Sequence, residues 1–377
     1  MRKLCLAAVI GLGIVGSMSA GAETFTWKEG STDWSSPDSY AEKGVPGSGD
    51  TVAIPADAVA TVSDDNLASW NVFAELKLVR FAGENSKLEL TVGETDGVPN
   101  EREVGCQVRY EDSAGKRDLT RGEFVKKGPG LVWFTNSVNY VLYTAVTVDE
   151  GTLKLPRRYA SGTCSLGKTT VNEKGTLIAA IAWDPETQKT KTSLTAGVTY
   201  MPEIWGSGVI TNLLSGQRIL VTGRERFCEF SGMIANCRWH SEGYVRLTGT
   251  NNLLNDPTVH SGGITELARM GSARGQSSIG TSSVSFRSRG TWRYVGTQAE
   301  TCPRGFRVQE ADGDFVIDAG PHGELTLTGS VYPDNTYGGE HKVVFAGTNA
   351  VPSVFSGIIE NVNLKSSGKP IYMTMIK

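Results

Sequence analysis

The sequence predicts an all-β solenoid of short stacked strands, and three observations carry that expectation. First, a phrase recurs: Thr147-Val148-Asp149-Glu150-Gly151-Thr152-Leu153 returns as Thr170-Val171-Asn172-Glu173-Lys174-Gly175-Thr176-Leu177, with its glycines 24 residues apart. Such a spacing marks units too small to bury their own apolar face, which must stack on neighbours. Second, Leu88, Leu90 and Val92 alternate with Lys87, Glu89 and Thr91, the period of two of a sheet with one packed face and one wet face. Third, 45 of 377 residues are glycine while 39% are hydrophobic and 20% charged, a turn-rich composition that still supports a core.

Residues 1–22 read as a secretory signal: Arg2 and Lys3, an apolar run over 4–15 too short to span a bilayer, and Ala20-Gly21-Ala22 before Glu23. The expected location is therefore exported, whether secreted, cell-surface or periplasmic. No membrane-spanning segment is expected in the mature chain, and Cys5 lies too early to carry a lipid. Gly11-Leu12-Gly13-Ile14-Val15-Gly16 matches a dinucleotide fingerprint in letters only, since it follows no strand.

Residues 23–60 are expected to form the cap that shields the first strand edge of the repeat region, 61–377. Phe25 and Trp27 alternate with threonine as on a strand, and Pro46-Gly47-Ser48-Gly49-Asp50 turns into a second strand at 51–54. Trp27, Trp34 and Tyr40 are read as buried cap aromatics, the rival being a sugar platform. Alternation then continues over 73–79 and 87–92, whereas 93–120, charged and weakly patterned, is expected to be a surface loop or irregular segment. No segment shows a helical apolar face over three turns.

Further strands bounded by Gly or Asn follow at 206–212, 230–234, 243–251, 323–329, 345–349 and 355–359, and inward Leu or Val with outward Thr, Arg or Glu is the general rule of the chain. Asn136, Asn212, Asn251 and Asn349 follow threonine, where a short amide suits turns or a ladder.

The net charge of −3 becomes −5 without Arg2 and Lys3, and the basic pairs are scattered, so nucleic acid is not an expected partner. Five cysteines follow the signal. Cys228 and Cys237 flank Phe230-Ser231-Gly232 and are candidates for a disulfide.

These phrases resemble the autotransporter-associated β-strand repeat of passenger-type proteins, Gly-x-Gly-x-Leu-x-Leu-x-Gly-x-Asn-x-Tyr followed by Thr-x-Val-x-x-Gly-Thr-Leu. The likeness is carried by 128–155 and again by 243–264. The resemblance implies a right-handed parallel β-helix and brings no catalytic residues. Trp133-Phe134 and the segments 93–120 and 265–285 depart from it, and no stretch after the passenger-like region reads as the alternating strands of a membrane barrel.

Neither a catalytic, cofactor-binding nor metal site is expected. The histidines at 240, 260, 322 and 341 sit in segments that read as turns, as does Arg238-Trp239-His240-Ser241-Glu242. Asp64-Asp65 and Asp312-Gly313-Asp314 offer too few oxygens for calcium. The expected function is a non-catalytic adhesive or scaffolding solenoid whose partners are polysaccharide or cell-surface glycans. The alternatives are a polysaccharide-active lyase or hydrolase, which needs acids and bases clustered on one outer face, and a carbohydrate-binding module built on the amino-terminal aromatics.

Overall fold

The alternation of inward apolar and outward polar residues produces strands throughout the computed structural model, which describes residues 22–135, 142–157, 163–184, 189–190, 198–212, 217–250, 253–271, 277–280, 283–287, 289–309, 314–333, 340–347, 353–359 and 372–376. Among the described residues strands make up 54% and helix 4%, so the fold is all-β as expected. The signal segment, Asn136, Asn251, Asn349, Asp312 and most of 183–197 lie outside the described residues.

Nearly all pairing is parallel, and each stretch of chain adds strands to the same ladders. One ladder runs from Val59–Ser63 through Lys87–Thr91, Glu123–Lys127 and the first half of Ala145–Arg157. It continues through Thr169–Asp184, Ile204–Gly206, Cys228–Phe230, Tyr244–Leu247 and Ile264–Leu267. Gly290–Tyr294, Asp314–Asp318, Glu340–Ala346 and Tyr372–Ile376 complete it. A second ladder includes Glu101–Val104, Leu131–Phe134 and Val209–Thr211. A third begins with Thr24–Thr26, Thr51–Ile54, Leu78–Phe81 and Gln107–Tyr110. Parallel partners cannot be joined by a tight hairpin, so residues close in sequence bond to different neighbours.

Side-chain facing follows the period of two. Leu88, Leu90 and Val92 are fully buried, and a continuous core runs from Phe25 to Val343. On the outer face of the same strand Lys87 pairs with Glu89 and Glu123 at 3.2 and 3.4 Å, and Lys127 with Glu89 at 2.7 Å. Trp133-Phe134 keeps the alternation after all: Phe134 is buried, and Trp133 lies half-buried on the outer face beneath the Lys154 ammonium, 5.5 Å from its ring.

The two glycines of the repeated phrase are direct partners, Gly151 opposite Gly175. Gly151 has φ +72°, and a Cβ there would press into the carbonyl oxygens of Gly128 and Gly130. Gly151→Ala is therefore expected to destabilise by about 3 kcal/mol, combining left-handed strain with overpacking, as read from urea denaturation. Beside this corner, Lys126 is fully buried and donates to the carbonyls of Lys127, Gly128 and Glu150 at 2.8, 2.6 and 3.0 Å.

At the amino terminus Trp27 stacks on Trp34 with centroids 4.5 Å apart, Tyr40 meets Trp27 edge-on, and all three are at most 1% exposed. The sugar-platform reading of these rings is thereby excluded. Buried indole and phenol need polar partners: Trp34 Nε1 donates to the Thr61 carbonyl and the Tyr40 hydroxyl to the Trp34 carbonyl.

Three expectations are corrected here. The alternation over 73–79 does not begin at Phe73, because Leu67–Glu75 is an α-helix, capped where the Asn66 side chain accepts from Ser69 N at 3.1 Å. Trp70 and Phe73 turn inward from it, Phe73 meeting both Trp34 and Trp70 edge-on, while Ser69 donates to Asp33 at 2.7 Å. The segment 93–120 is not a plain loop. It holds an antiparallel hairpin, Glu94–Thr95 with Val98–Pro99, whose Asp96 and Gly97 have φ 53° and 74°, followed by two strands in full parallel register. Finally, Cys228 and Cys237 are free thiols rather than a disulfide. Both sit within strands, not beside a tight turn, and both point into the core as small hydrophobes.

Candidate functional site

Parallel register turns single outward residues into rows. Glu229 lies opposite Arg246, Arg246 opposite Glu266, Glu266 opposite Arg293, and Arg293 opposite Asp318. Each is followed by a buried residue, Phe230, Leu247, Leu267, Tyr294 or Ala319, so alternation presents all five charges on the same outer face.

The row is ion-paired from end to end. Arg246 reaches Glu229 at 3.7 Å and Glu266 at 2.7 Å, while Arg293 reaches Glu266 at 3.2 Å and Asp318 at 2.7 Å. Glu266 is the hub: its side chain is only 5% exposed and accepts from both guanidiniums. Burial lowers the Arg293 pKa, but the hydrogen bonds and charges of Asp318 and Glu266 outweigh it and hold the guanidinium above its ordinary value. Removing the hub leaves two arginines side by side. Glu266→Ala is expected to cost about 2 kcal/mol, less than a fully buried pair because the arginines keep partial water contact, and the loss should shrink at high salt. Urea midpoints at low and high salt check this, with Arg246→Ala the milder change because Arg293 still holds Glu266.

The row forms one wall of a groove of about 470 Å³. Two positions further along the same strands, Thr248, Ala268, Val295 and Gly320 supply a floor of small side chains, and Pro321 and His322 stand exposed at one end. Beyond Glu229, the pairing of Gly206 with Phe230 brings Trp205 to the same level. Its indole Nε1 donates to Glu203 at 2.8 Å, and Lys168 and Arg226 lie 5.6 and 5.4 Å from its ring centre.

No protein-family model, curated protein or solved structure matches this chain. Chemistry must therefore be judged from the side chains themselves.

Acid–base catalysis needs one carboxyl able to give a proton and another able to take it. In this groove every carboxylate of the row is engaged by arginine, an arrangement suited to holding strands together and to presenting alternating donors and acceptors. The residues singled out from the sequence lie elsewhere, apart from His322. Arg238 is outward and exposed, whereas Trp239, His240 and Ser241 are buried within Met233–Ser241, so that segment is no solvated turn. Asp64 is buried and structural, accepting from Gly93 N and Asn100 Nδ2 at 3.0 and 2.8 Å with Arg102 at 3.5 Å. Asp314 pairs with Lys342 at 3.1 Å. The side chains of His260 and His341 lie outside those described.

Among the described residues no group of three His, Cys, Asp or Glu could hold a metal ion, and no helix is long and apolar enough to cross a membrane. The charged row was missed in the sequence although it leaves a trace there. Glu-Phe, Arg-Leu, Glu-Leu, Arg-Tyr and Asp-Ala recur once per added strand at 229, 246, 266, 293 and 318, with the sign alternating.

Proposed function

We propose that this chain is an exported right-handed parallel β-helix of the autotransporter-associated repeat type, acting without catalysis as an adhesive or scaffolding element at a cell surface. The observation that carries the reading is the outward row itself: successive strands present paired charges in fixed register, a surface suited to holding an extended partner and to stiffening the stack. The basic, apolar and small-residue order of 1–22 supports export. A repetitive outer face with polysaccharide or surface glycans as its partner fits a solenoid, whose extended side is its natural contact surface.

A lyase or hydrolase is the second reading, favoured by one specific observation: Glu229, Glu266 and Asp318 line the same groove on alternate strands. Incubating the purified mature chain with pectin, alginate, mucin glycans and chondroitin in the presence of calcium separates the two. Adhesion to glycan-coated beads without product release supports the scaffold. Turnover lost in Asp318→Asn or Glu229→Gln overturns it in favour of the enzyme.

A further inference from the structure

Three outward columns run side by side along the direction in which strands stack. Tyr244, Ile264, Thr291 and Val316 are register partners and form a half-exposed, mainly apolar strip. Two residues along each strand comes the charged row, and two further comes the small-residue floor, where Ala268 N and Val295 N still donate to the carbonyls of Leu247 and Leu267. At the near end Phe227 stacks on Tyr244 with centroids 5.5 Å apart, and the Arg246 guanidinium sits 6.0 Å from the Phe227 ring, joining the strip to the row.

These columns repeat at the strand spacing of about 4.8 Å. A linear polymer lying along the groove therefore meets the charged row and the small-residue floor at every step, with the apolar strip on the far side of the row. The step is close to the advance of one pyranose ring in an extended 1,4-linked chain. Such a ring is amphipathic: its C–H face suits the floor, where Ala268 and Val295 offer apolar side chains, and its hydroxyls both donate and accept. The row answers both needs, with carboxylates accepting and guanidiniums donating in alternation. Charge decides the class of polymer. Three carboxylates face two guanidiniums already engaged by them, so a polyanion finds no uncompensated positive charge to bind. The groove volume falls within the range of about 300–1,000 Å³ typical of ligand clefts.

We propose that this groove binds a neutral, linear, 1,4-linked glycan lying along the stacking direction, with the Thr248 to Gly320 floor under its C–H faces and the Glu229 to Asp318 row against its hydroxyls. The proposal rests on the glycan-facing reading of the surface above and names its site and ligand.

Affinity electrophoresis of the full chain through gels containing hydroxyethyl cellulose, glucomannan, xylan or polygalacturonate tests it. Retardation by at least one neutral polymer and none by polygalacturonate is expected. Filling the floor with Ala268→Trp, or independently with Val295→Trp, should weaken retention by about tenfold or more while the melting temperature stays near that of the parent. Retardation by polygalacturonate alone, or by none of the four, overturns the proposal. So does retention unchanged in both folded variants. Adhesion to glycan-coated surfaces without retention in any gel would overturn this groove and leave the adhesive reading standing. Retention accompanied by turnover would do the reverse.

Discussion

Raising the pH from 7 to 10 is expected to destabilise this protein by roughly 4 kcal/mol, and the cause is its buried thiols. Cys106, Cys228, Cys237 and Cys302 are at most 1% exposed, and burial raises the pKa of each, that of Cys228 to about 11. In the unfolded chain a thiol titrates near 8.5, so by pH 10 Cys106, Cys228 and Cys237 each contribute about 2 kcal/mol in favour of unfolding, and Cys302 acts in the same direction. Because the folded pKa is the raised one, this stability is whole below the unfolded value and is lost as the pH climbs. Partly exposed Cys164, raised to about 12, is left out of that sum. Lys126 works in the opposite direction: burial depresses its ammonium to about 8, so between about 8 and about 10.4 the unfolded chain holds the extra proton and stability rises with pH. This lysine, worth about 2 kcal/mol over the range, offsets only part of the roughly 6 kcal/mol from those three thiols. Thermal melts across this window should fall, with Cys106→Ala flattening the slope and Lys126→Met steepening it; a flat profile in the parent chain would contradict the account.

Leu325→Asp should cost about 4–5 kcal/mol, whereas Thr326→Asp, one residue on, should cost about 0.5 kcal/mol or less. Leu325 is 1% exposed on Leu325–Leu327, a strand paired with Glu300–Cys302 on one side and Val354–Phe355 on the other. A carboxylate there is held in the core between stacked strands. Thr326 faces outward and is half-exposed, so a charge at that position keeps its water. Urea midpoints measure the difference directly, and equal losses at both positions would reverse the assigned facing.

That facing was legible because a period of two in apolar residues has one structural meaning when every strand has one packed side. Gly151 and Gly175 were readable as equivalents for a related reason: a corner that admits no Cβ repeats wherever the next strand copies it. The helix at Leu67–Glu75 was not legible, because two and a half turns carry little periodicity and what holds them is tertiary, namely Ser69 on Asp33 and Phe73 against Trp34. In 93–120 the charges masked a readable signal. Val104, Cys106, Val108 and Tyr110 alternate as core residues should, and Asp96-Gly97 is a strong hairpin turn. The groove was invisible for a different reason. Its charges stand some twenty residues apart, each an ordinary outward residue on its own strand, and only register brings them together. A disulfide between Cys228 and Cys237 failed because sequence proximity says nothing about which strand neighbour a side chain meets.

The hairpin at Glu94–Pro99 shows how such a chain can grow. Lys87–Thr91 before it bonds to Glu123–Lys127, and Glu101–Val104 after it bonds to Leu131–Phe134, so neither flanking strand depends on the length of the excursion between them. The tip at Asp96-Gly97 is exposed, with open space beside Gly97, the kind of site where added chain is tolerated. An epitope, a tag or a whole folded domain spliced between Asp96 and Gly97 would be displayed from the outer surface without shifting a single register, making this corner a natural port for cargo.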